Sequence, residues 1–433
     1  MERRRIRIQG SRPRITRKRM ARPSVRTVLR ERGLRGLVAA VLRRVVSRPR
    51  DDTDQHIHIP DISRDVPGVD VVGFFTAEHG VGEAARTLVT TLRSADVSLS
   101  TINYADTESR TQHLFVTDDV SRHHTLFLSI NADHVVAARQ RLGDHFFHDR
   151  YVIGQWFWEL EQAPTWYKDA WDVVDELWAP TRFIESMLKR SAPPGITIRH
   201  LPLPIKRSEV DNSITRPQMG INGRYLFLFV FDMMSIMKRK NPLGLISAFT
   251  KAFQESDGAQ LVIKTMNGDK RPEDRAVLLS AAQGRADITV IDEYFTHLET
   301  STLISLADCY VSLHRSEGLG LTLSEAMSHG VPVIATNYSG NTDFMTEQNS
   351  FLVPWSPVPV GAGAGGYDPT AIWAEPDEES AIRTLRYVFH NQSEARIRGA
   401  QARVDIERGF NEQAAGAIMK SRLEEIWRSE RGR

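Results

Sequence analysis

The chain has 433 residues, of which 41% are hydrophobic and 25% are charged, and it contains one cysteine, Cys309. This length allows two domains, each with its own core. A single cysteine excludes an internal disulfide and any metal site built from several cysteines. The formal charge of +2 hides an asymmetry. Residues 1–50 contain 18 Lys or Arg and 2 acids, a net charge of +16, which leaves −14 for the other 383 residues.

The basic N-terminal arm resembles no secretory signal, because its longest apolar run, residues 37–42, is short and arginines follow at once. Residues 24–46 place valines and leucines largely at helical spacing with arginines opposite, interrupted by Gly33 and Gly36. We expect an amphipathic helix that lies on an anionic membrane, at about 1 kcal/mol per basic residue. An inert tail and nucleic-acid binding are the alternatives, with nucleic acid the least favoured. The expected location is the cytoplasm, peripheral on the inner face of the plasma membrane.

The first half of the chain alternates short apolar runs with amphipathic helices after a linker at residues 47–68. The predicted elements are, in order, strand 69–75, helix 82–96, strand 123–131 with a helix after it, and strands 151–158, 174–180 and 196–205. Such alternation predicts a parallel sheet, and nearly continuous apolar runs are typical of strands covered on both faces.

The alternation restarts after a polar stretch at residues 206–224. The predicted elements are strand 225–232, helix 241–253, strands 259–266, 288–292, 309–314, 331–336 and 350–355, and a closing helix 412–429. The fold class is therefore α/β, with two doubly wound domains facing across a cleft. We expect an arm and linker at 1–66, a first domain at 67–206, a second domain at 207–410, and a helix at 411–433 that packs back toward the first domain.

Two glutamates flank a glycine-rich turn within the second half. Glu317 closes a buried strand, Gly318, Leu319 and Gly320 form the turn, and Glu325 lies about two turns into the next helix. Backbone N–H groups at a glycine-rich helix start bind anions, and glycines allow a ligand to approach closely. A carboxylate within the helix can accept hydrogen bonds from two ribose hydroxyls. The pattern indicates a nucleotide diphosphate that carries a reactive group.

The same stretch resembles the E-x7-E motif of GT-B glycosyltransferases of glycosyltransferase family four, which are retaining enzymes. Glu317 and Glu325 match its two glutamates, and residues 324–343 resemble the helix, strand and small-residue turn that follow. The resemblance extends over residues 69–430 and implies two Rossmann-like domains. Under it, Glu317 orients the donor sugar and Glu325 binds the ribose.

Residues 74–88 resemble the first glycine loop of this family, with Gly80 and Gly82 beneath the diphosphate or sugar; a plain strand-to-helix turn is the alternative. Residues 153–164 resemble a bacterial subgroup with tryptophans in its donor or acceptor pocket. The sugar-contacting candidates there are Trp156, Trp158 and Glu159, together with Asn131 at the end of the second predicted strand. Core packing is the alternative role of the two tryptophans.

The second domain departs from the family pattern at one position. The family has an arginine followed five residues later by a lysine, and both contact the donor diphosphate. Lys240 matches the lysine, with a solvated helix-start lysine as the alternative, but Ser235 occupies the arginine position. Arg239 or Lys264 is expected to supply the missing charge, and the sequence does not decide between them.

The resemblance implies transfer of a sugar from a nucleotide-diphosphate sugar, linked to UDP or GDP, to a hydroxyl of a glycan or lipid-linked acceptor. We expect a role in cell-envelope glycolipid or polysaccharide synthesis, with no bound cofactor and no metal, since the close histidine pairs lack accompanying carboxylates. A GT-B sugar-nucleotide epimerase and a catalytically silent sugar-nucleotide binding protein are the alternatives. Residues 354–371 are predicted to form an inserted loop, either a lid or a surface insertion.

Overall fold

The structure is a computed structural model and describes residues 66–221 and 224–431. The amphipathic helix expected at 24–46 and most of the linker expected at 47–68 lie outside these residues. Within the described part of the chain, two parallel six-stranded sheets and one antiparallel hairpin account for the strands. No helix in the same residues has the length and apolarity needed to cross a bilayer.

The first sheet contains the strands of the first half of the chain. They are β1 (Val69–Gly73), β2 (Leu99–Asn103), β3 (Thr125–Ser129), β4 (Tyr151–Gly154), β5 (Glu176–Ala179) and β6 (Thr197–His200). Their spatial order is β2-β1-β3-β4-β5-β6, and every neighbouring pair is parallel. The helices of this half are α1 (Gly80–Ser94), α2 (Ala132–Leu142), α3 (Asp144–Phe147), α4 (Lys168–Trp171) and α5 (Arg182–Ser191).

Three strands of this sheet differ from the sequence expectations by more than two residues, and one of them, β6, stops at His200 and does not continue to residue 205. Strand β2 was not predicted, because its sequence Leu-Ser-Thr-Ile-Asn mixes polar and apolar residues without a clean pattern. Strand β4 stops at Gly154 and does not continue to residue 158. The physical reason is that the N–H of Phe157 donates to the side-chain oxygen of Asn131 at 2.8 Å, which turns the chain away from the ladder.

The second sheet contains six strands from the second half. They are β7 (Tyr225–Asp232), β8 (Ala259–Met266), β9 (Ile288–Asp292), β10 (Cys309–Ser312), β11 (Val333–Thr336) and β12 (Phe351–Val353). Their order is β12-β11-β10-β7-β8-β9, again with parallel neighbours throughout. The helices of this half before the last one are α6 (Met237–Lys240), α7 (Pro242–Ala252), α8 (Pro272–Ala282), α9 (His297–Ser305), α10 (Leu321–Ser328), α11 (Glu378–His390) and α12 (Gln392–Gly409).

The stretch expected to be a flexible loop at 354–371 contains the first strand of an antiparallel hairpin and the connection that leads to the second strand. Strand β13 (Trp355–Pro359) pairs with β14 (Ile372–Pro376). The proline-rich sequence hides this pairing, because its partner strand lies beyond the Gly-rich segment.

The last helix, α13 (Glu412–Arg431), returns to the first domain. Its apolar residues Met419, Leu423 and Ile426 are buried in the core that surrounds β1 and α1. Arg422 on the same helix donates to the fully buried Glu176 of β5 at 2.6 Å. This ion pair joins two residues 246 positions apart and fixes the end of the chain on the first sheet.

Candidate active site

The candidate site lies where the direction of strand progression reverses in the second sheet. Strands β7, β8 and β9 progress to one side and β10, β11 and β12 to the other, so β7 and β10 are neighbours at the centre. Ligands of open parallel sheets bind at the carboxyl ends of the strands at such a point. The segments that follow β7 and β10 carry Lys240 and Glu317, respectively.

Glu317 is buried between two cations. One carboxylate oxygen accepts a hydrogen bond from Lys240 at 2.5 Å and the other accepts one from Arg239 at 3.2 Å. Burial acts to raise the pKa of Glu317, but the charges of Lys240 and Arg239 outweigh it and lower the pKa to about 2. The N–H of Glu317 donates to the Ser339 hydroxyl at 2.8 Å, which fixes the backbone. Glu317 is therefore ionised and held in one position at neutral pH.

The turn that supplies the two cations is conformationally constrained. Ile236 has φ +63°, a value that is strained for a β-branched residue. Asn241 follows the one-turn helix α6 in the left-handed region, and its side-chain amide donates to the Leu313 carbonyl at 2.8 Å. Because Leu313 directly follows β10, this bond ties the turn carrying Arg239 and Lys240 to the strand that leads to Glu317.

The structure separates the two candidates for the missing charge. Arg239, only 4% exposed, reaches Glu317 directly. Lys264 on β8 instead donates to the carbonyls of Thr265 at 2.9 Å and Glu293 at 2.7 Å, and burial lowers its pKa to about 8. Ser235 ends the short 3-10 turn that precedes α6. Arg239 is thus the residue of this turn whose charge, with that of Lys240, lies at Glu317.

The Gly-Leu-Gly turn between Glu317 and α10 is packed on both sides. Gly320 has φ +87°, which favours glycine, and α10 begins directly after it. A Cβ atom at Gly340 would lie 2.1 Å from the carbonyl oxygen of Gly318, so the small-residue turn after β11 touches this backbone. Leu319 extends to the first domain and packs against its core. Helix α10 therefore begins four residues after Glu317, at the boundary between the two domains.

Glu325 lines a cavity of about 710 Å³ between the two domains. It is half-buried and accepts a hydrogen bond from the Ser301 hydroxyl at 2.5 Å. Arg86 and Thr87 line the cavity from the first domain, and His297 and Leu321 line it from the second. A carboxylate in a cavity of this size is suited to bind hydroxyl groups of a small molecule.

The first-domain glycines lie in a helix and not in the preceding loop, which corrects the expected placement. Helix α1 begins at Gly80 because His79 caps it: the Gly82 N–H donates to Nδ1 of His79 at 3.1 Å. A Cβ at Gly80 would lie 3.4 Å from Leu321 of α10, so this position faces the second domain. A Cβ at Gly82 would lie 2.6 Å from the Ala77 carbonyl oxygen, so glycine is required there by packing.

The two tryptophan candidates on the segment after β4 differ in burial. Trp156 is fully buried and contacts Tyr167 and Trp171 edge-on, which makes it a core residue and not a sugar-binding one. Trp158 is half-buried, and its indole N–H donates to the Gln162 carbonyl at 2.9 Å. Asn131 acts through its contact with Phe157 as an anchor for this segment.

Glu159 lies beside the charged cluster although it belongs to the first domain. One of its carboxylate oxygens is 3.5 Å from Arg239, and the Ser316 hydroxyl donates to its backbone carbonyl. A Cβ at Gly318 would lie 3.8 Å from the Glu159 side chain. The structure therefore brings Glu159 to Arg239 and Glu317, at the carboxyl end of β4.

Two contact residues of this site were missed by sequence reasoning. Tyr367 of the hairpin donates to Glu159 at 2.8 Å, across 208 positions of sequence. Thr181 donates to the Gly318 carbonyl at 3.1 Å, across 137 positions. Thr181 also caps α5, and a threonine before a helix is a signal that can be read from sequence. That signal indicates where the helix begins, but it does not indicate a contact with the other domain.

Within residues 66–221 and 224–431, no three His, Cys, Asp or Glu side chains are grouped so that they would hold a metal ion. His314 lies close to Glu317 in sequence but is fully buried and bonds to Asn341 at 3.1 Å. Burial lowers its pKa, which indicates a neutral structural residue.

Known proteins resemble part of this chain in sequence. Residues 214–356 match the sequence family described as "Glycosyl transferases group 1". The curated relative "Sulfoquinovosyl transferase SQD2" of Arabidopsis thaliana is 28% identical over 148 residues, which cover 32% of this chain. The match spans about a quarter (26%) of that relative's length.

Solved structures resemble the chain over a much larger part of its length. Sucrose-phosphate synthase from Thermosynechococcus elongatus has a TM-score of 0.62 at 14% identity, with 84% of this chain and 100% of that chain covered. Anabaena HepE, solved in complex with UDP and glucose, has a TM-score of 0.60 at 10% identity, with 83% and 100% covered. At these identities the likeness concerns the fold. Residues 214–356 therefore resemble the glycosyl transferases group 1 family, and the chain has the two-domain GT-B fold of these structural neighbours.

Proposed function

We propose that this protein is a retaining glycosyltransferase that moves a sugar from a nucleotide-diphosphate sugar to an acceptor hydroxyl. The observation that carries the proposal is Glu317, ionised and held between Lys240 and Arg239, four residues before the start of a helix that faces the other domain. The resemblance of residues 214–356 to the glycosyl transferases group 1 family supports the same reaction class.

The chemistry follows from the charges of the site. Breaking the bond between the sugar and the diphosphate leaves negative charge on the departing phosphate oxygen. Lys240, Arg239 and the first N–H groups of α10 are suited to stabilise that charge. Glu317 would accept hydrogen bonds from sugar hydroxyls, and Glu325 in the adjacent cavity would bind the ribose diol. Holding the acceptor oxygen close to the anomeric carbon in a reactive orientation accounts for the remainder of the rate enhancement.

We propose retention because the stretch from Glu317 to Glu325 resembles the motif of retaining enzymes, and the state of Glu317 bears on the route by which it is achieved. Both of its carboxylate oxygens already accept hydrogen bonds from cations, which makes it a poor nucleophile for a covalent sugar intermediate. We propose that the acceptor oxygen attacks the anomeric carbon from the face that the diphosphate leaves. The acceptor proton then passes to the departing phosphate oxygen, and no enzyme base is needed.

We propose UDP as the nucleotide, since the structural neighbour HepE was solved with UDP and glucose. A thermal-shift comparison of UDP, GDP and ADP tests this choice. A ligand present at 100 times its Kd stabilises the folded state by about 2.7 kcal/mol, which such an assay detects readily. If none of the three nucleotides stabilises the protein, the donor class is wrong.

Incubation with a panel of nucleotide sugars in the presence and absence of acceptor tests the reaction itself. We expect release of the nucleotide and a product whose anomeric configuration, read by NMR, matches that of the donor. An inverted product would refute retention. An epimerised sugar, or binding without turnover, would instead identify an epimerase or a silent binding protein.

The cellular role remains a proposal from the sequence of residues 1–50. A net charge of +16 in this arm would hold the protein at an anionic membrane, where lipid-linked acceptors reside. We therefore propose cell-envelope glycolipid or polysaccharide synthesis at the inner face of the plasma membrane.

A further inference from the structure

The inserted hairpin has a small core of its own that includes a residue of the first domain. The buried members of this core are Leu160, Val360, Ala364, Tyr367 and Trp373. Lys238, next to Arg239, donates to the hairpin carbonyls of Val360 at 2.6 Å and Ala362 at 3.2 Å. The hairpin is therefore fixed to both the turn that carries Arg239 and the first-domain segment that carries Glu159.

A line of polar contacts runs from the hairpin to Glu317. The Tyr367 hydroxyl donates to one oxygen of Glu159 at 2.8 Å, and the other oxygen of Glu159 lies 3.5 Å from Arg239. Arg239 donates in turn to Glu317 at 3.2 Å. Burial raises the pKa of Tyr367, so its hydroxyl stays protonated and acts as the donor.

The cluster is balanced in charge but not in hydrogen bonds. Arg239 and Lys240 face two carboxylates, Glu159 and Glu317. The Nε–H of Arg239 is buried and has no hydrogen-bond partner among the described residues. The terminal nitrogens of Arg239 are all engaged, since they contact Glu159, Glu317 and, at 2.8 Å, the Ser316 carbonyl, and these contacts fix the guanidinium.

We propose that Glu159 and Tyr367 are positioning residues for the transfer. Tyr367 orients the Glu159 carboxylate, and Glu159 together with Glu317 holds the Arg239 guanidinium where its charge acts on the donor diphosphate. This inference rests on the proposed function. It replaces direct sugar contact as the role of Glu159, and it makes the hairpin a part of the active site.

Two conservative variants test the proposal. Glu159→Gln keeps the size of the side chain but leaves two cations facing one carboxylate, a balance that favours a bound anion. We expect kcat to fall at least tenfold while the Kd for UDP is unchanged or lower, because a displaced Arg239 still attracts UDP but is misplaced for the transition state. Tyr367→Phe removes only the hydroxyl, and we expect a similar fall in kcat with an unchanged Kd for UDP.

The two effects should not add. Since both variants act through the same contact, the double variant should lose no more activity than the more impaired single variant. Slow hydrolysis of the donor by water takes place without an acceptor. Its rate should fall by a similar factor, because Arg239 acts on the departing diphosphate in both reactions.

The chain offers a matched control pair on the same segment. Tyr338 donates to Glu161 at 3.3 Å, again a tyrosine of the second domain on a glutamate of the first. This pair has no contact with Arg239 among the described residues, so Tyr338→Phe and Glu161→Gln should keep kcat within threefold of wild type. Melting temperatures of all variants show whether each protein is folded.

The outcomes separate the possible explanations. A fall in kcat of less than tenfold in folded Glu159→Gln and Tyr367→Phe overturns the proposal. A Kd for UDP that rises more than threefold also overturns it, because Glu159 would then contact the nucleotide, and so does a loss confined to the acceptor KM. If the proposed function itself is wrong, wild-type protein neither binds UDP nor releases it from a nucleotide sugar, and the inference fails with it.

Discussion

Replacing Glu317 with glutamine is the most informative single perturbation of this site. The substitution removes the negative charge that pairs with Lys240 and, together with Glu159, with Arg239. It keeps the shape of the side chain. A pKa lowered from its usual 4.5 to about 2 corresponds to about 3 kcal/mol of favourable interaction in the folded state. Removing one partner of a buried ion pair costs about 3–5 kcal/mol. Because Glu159 still faces Arg239, we expect the lower end, about 3 kcal/mol.

This loss is measurable by thermal unfolding. For a domain of about 200 residues, 1 kcal/mol shifts the Tm by about 2–4 °C, so Glu317→Gln should lower it by about 6–12 °C. The sign of the pH dependence follows from the lowered pKa. Glu317 stabilises the fold fully above pH 4.5, and this contribution is lost as the pH falls through about 2. The difference in stability between wild type and variant should therefore narrow only below pH 4.5.

The loss of activity in Glu317→Gln should be larger than partial unfolding of the variant would cause. We expect kcat to decrease at least about a hundredfold, the order found for a positioned electrostatic contact, while the Kd for free UDP stays close to normal. Single-turnover assays below the melting temperature of the variant, with calorimetric titration of UDP, separate the two quantities. Activity within twofold of wild type would remove Glu317 from the site.

Glu378→Gln is the matched control for this experiment. Glu378 also accepts from a lysine, Lys251, at 2.5 Å, but its side chain is 41% exposed, whereas that of Glu317 is 10% exposed. An exposed pair contributes about 0–1 kcal/mol. We therefore expect little change in Tm or kcat. An equal loss in both variants would show that burial does not set the energetics at Glu317.

Three further predictions concern other parts of the chain. Glu325→Ala should weaken UDP binding by about 1.5–3 kcal/mol, because a charged hydrogen-bond partner is lost, and calorimetry that finds an unchanged Kd in a folded variant would contradict the ribose role. Gly340→Ala should destabilise the protein by about 1–3 kcal/mol, since the new Cβ would lie 2.1 Å from the Gly318 carbonyl oxygen, whereas Gly409→Ala, with nothing within 4 Å, should be tolerated. Deleting residues 1–60 should leave the two-domain fold and donor hydrolysis intact but abolish co-sedimentation with anionic vesicles, which high salt should also weaken for the intact protein. If the truncated protein sediments as well as the intact one, the membrane role of the arm is wrong, and binding to DNA but not to vesicles would favour a nucleic-acid role.

The sequence by itself determined the α/β class and the central motif of this protein. Nearly continuous apolar runs such as residues 225–232 define buried parallel strands, because both faces of such strands must be covered. Glu317, the Gly-Leu-Gly turn and Glu325 lie within nine consecutive residues, so strand, turn and helix geometry places them together without reference to the remaining chain. Local periodicity is sufficient for features of this length.

The tertiary structure decided which distant groups meet at that motif. Arg239 and Lys264 are equally basic in sequence, but the turn tied to β10 carries Arg239 to Glu317, and the backbone carbonyls of Thr265 and Glu293 hold Lys264 elsewhere. Trp156 and Trp158 are two residues apart, yet one is buried in the core and the other lies beside the hairpin. Tyr367 reaches Glu159 across 208 positions. Contacts over such separations depend on how two sheets and an inserted hairpin pack, and no pattern within a few residues encodes that packing.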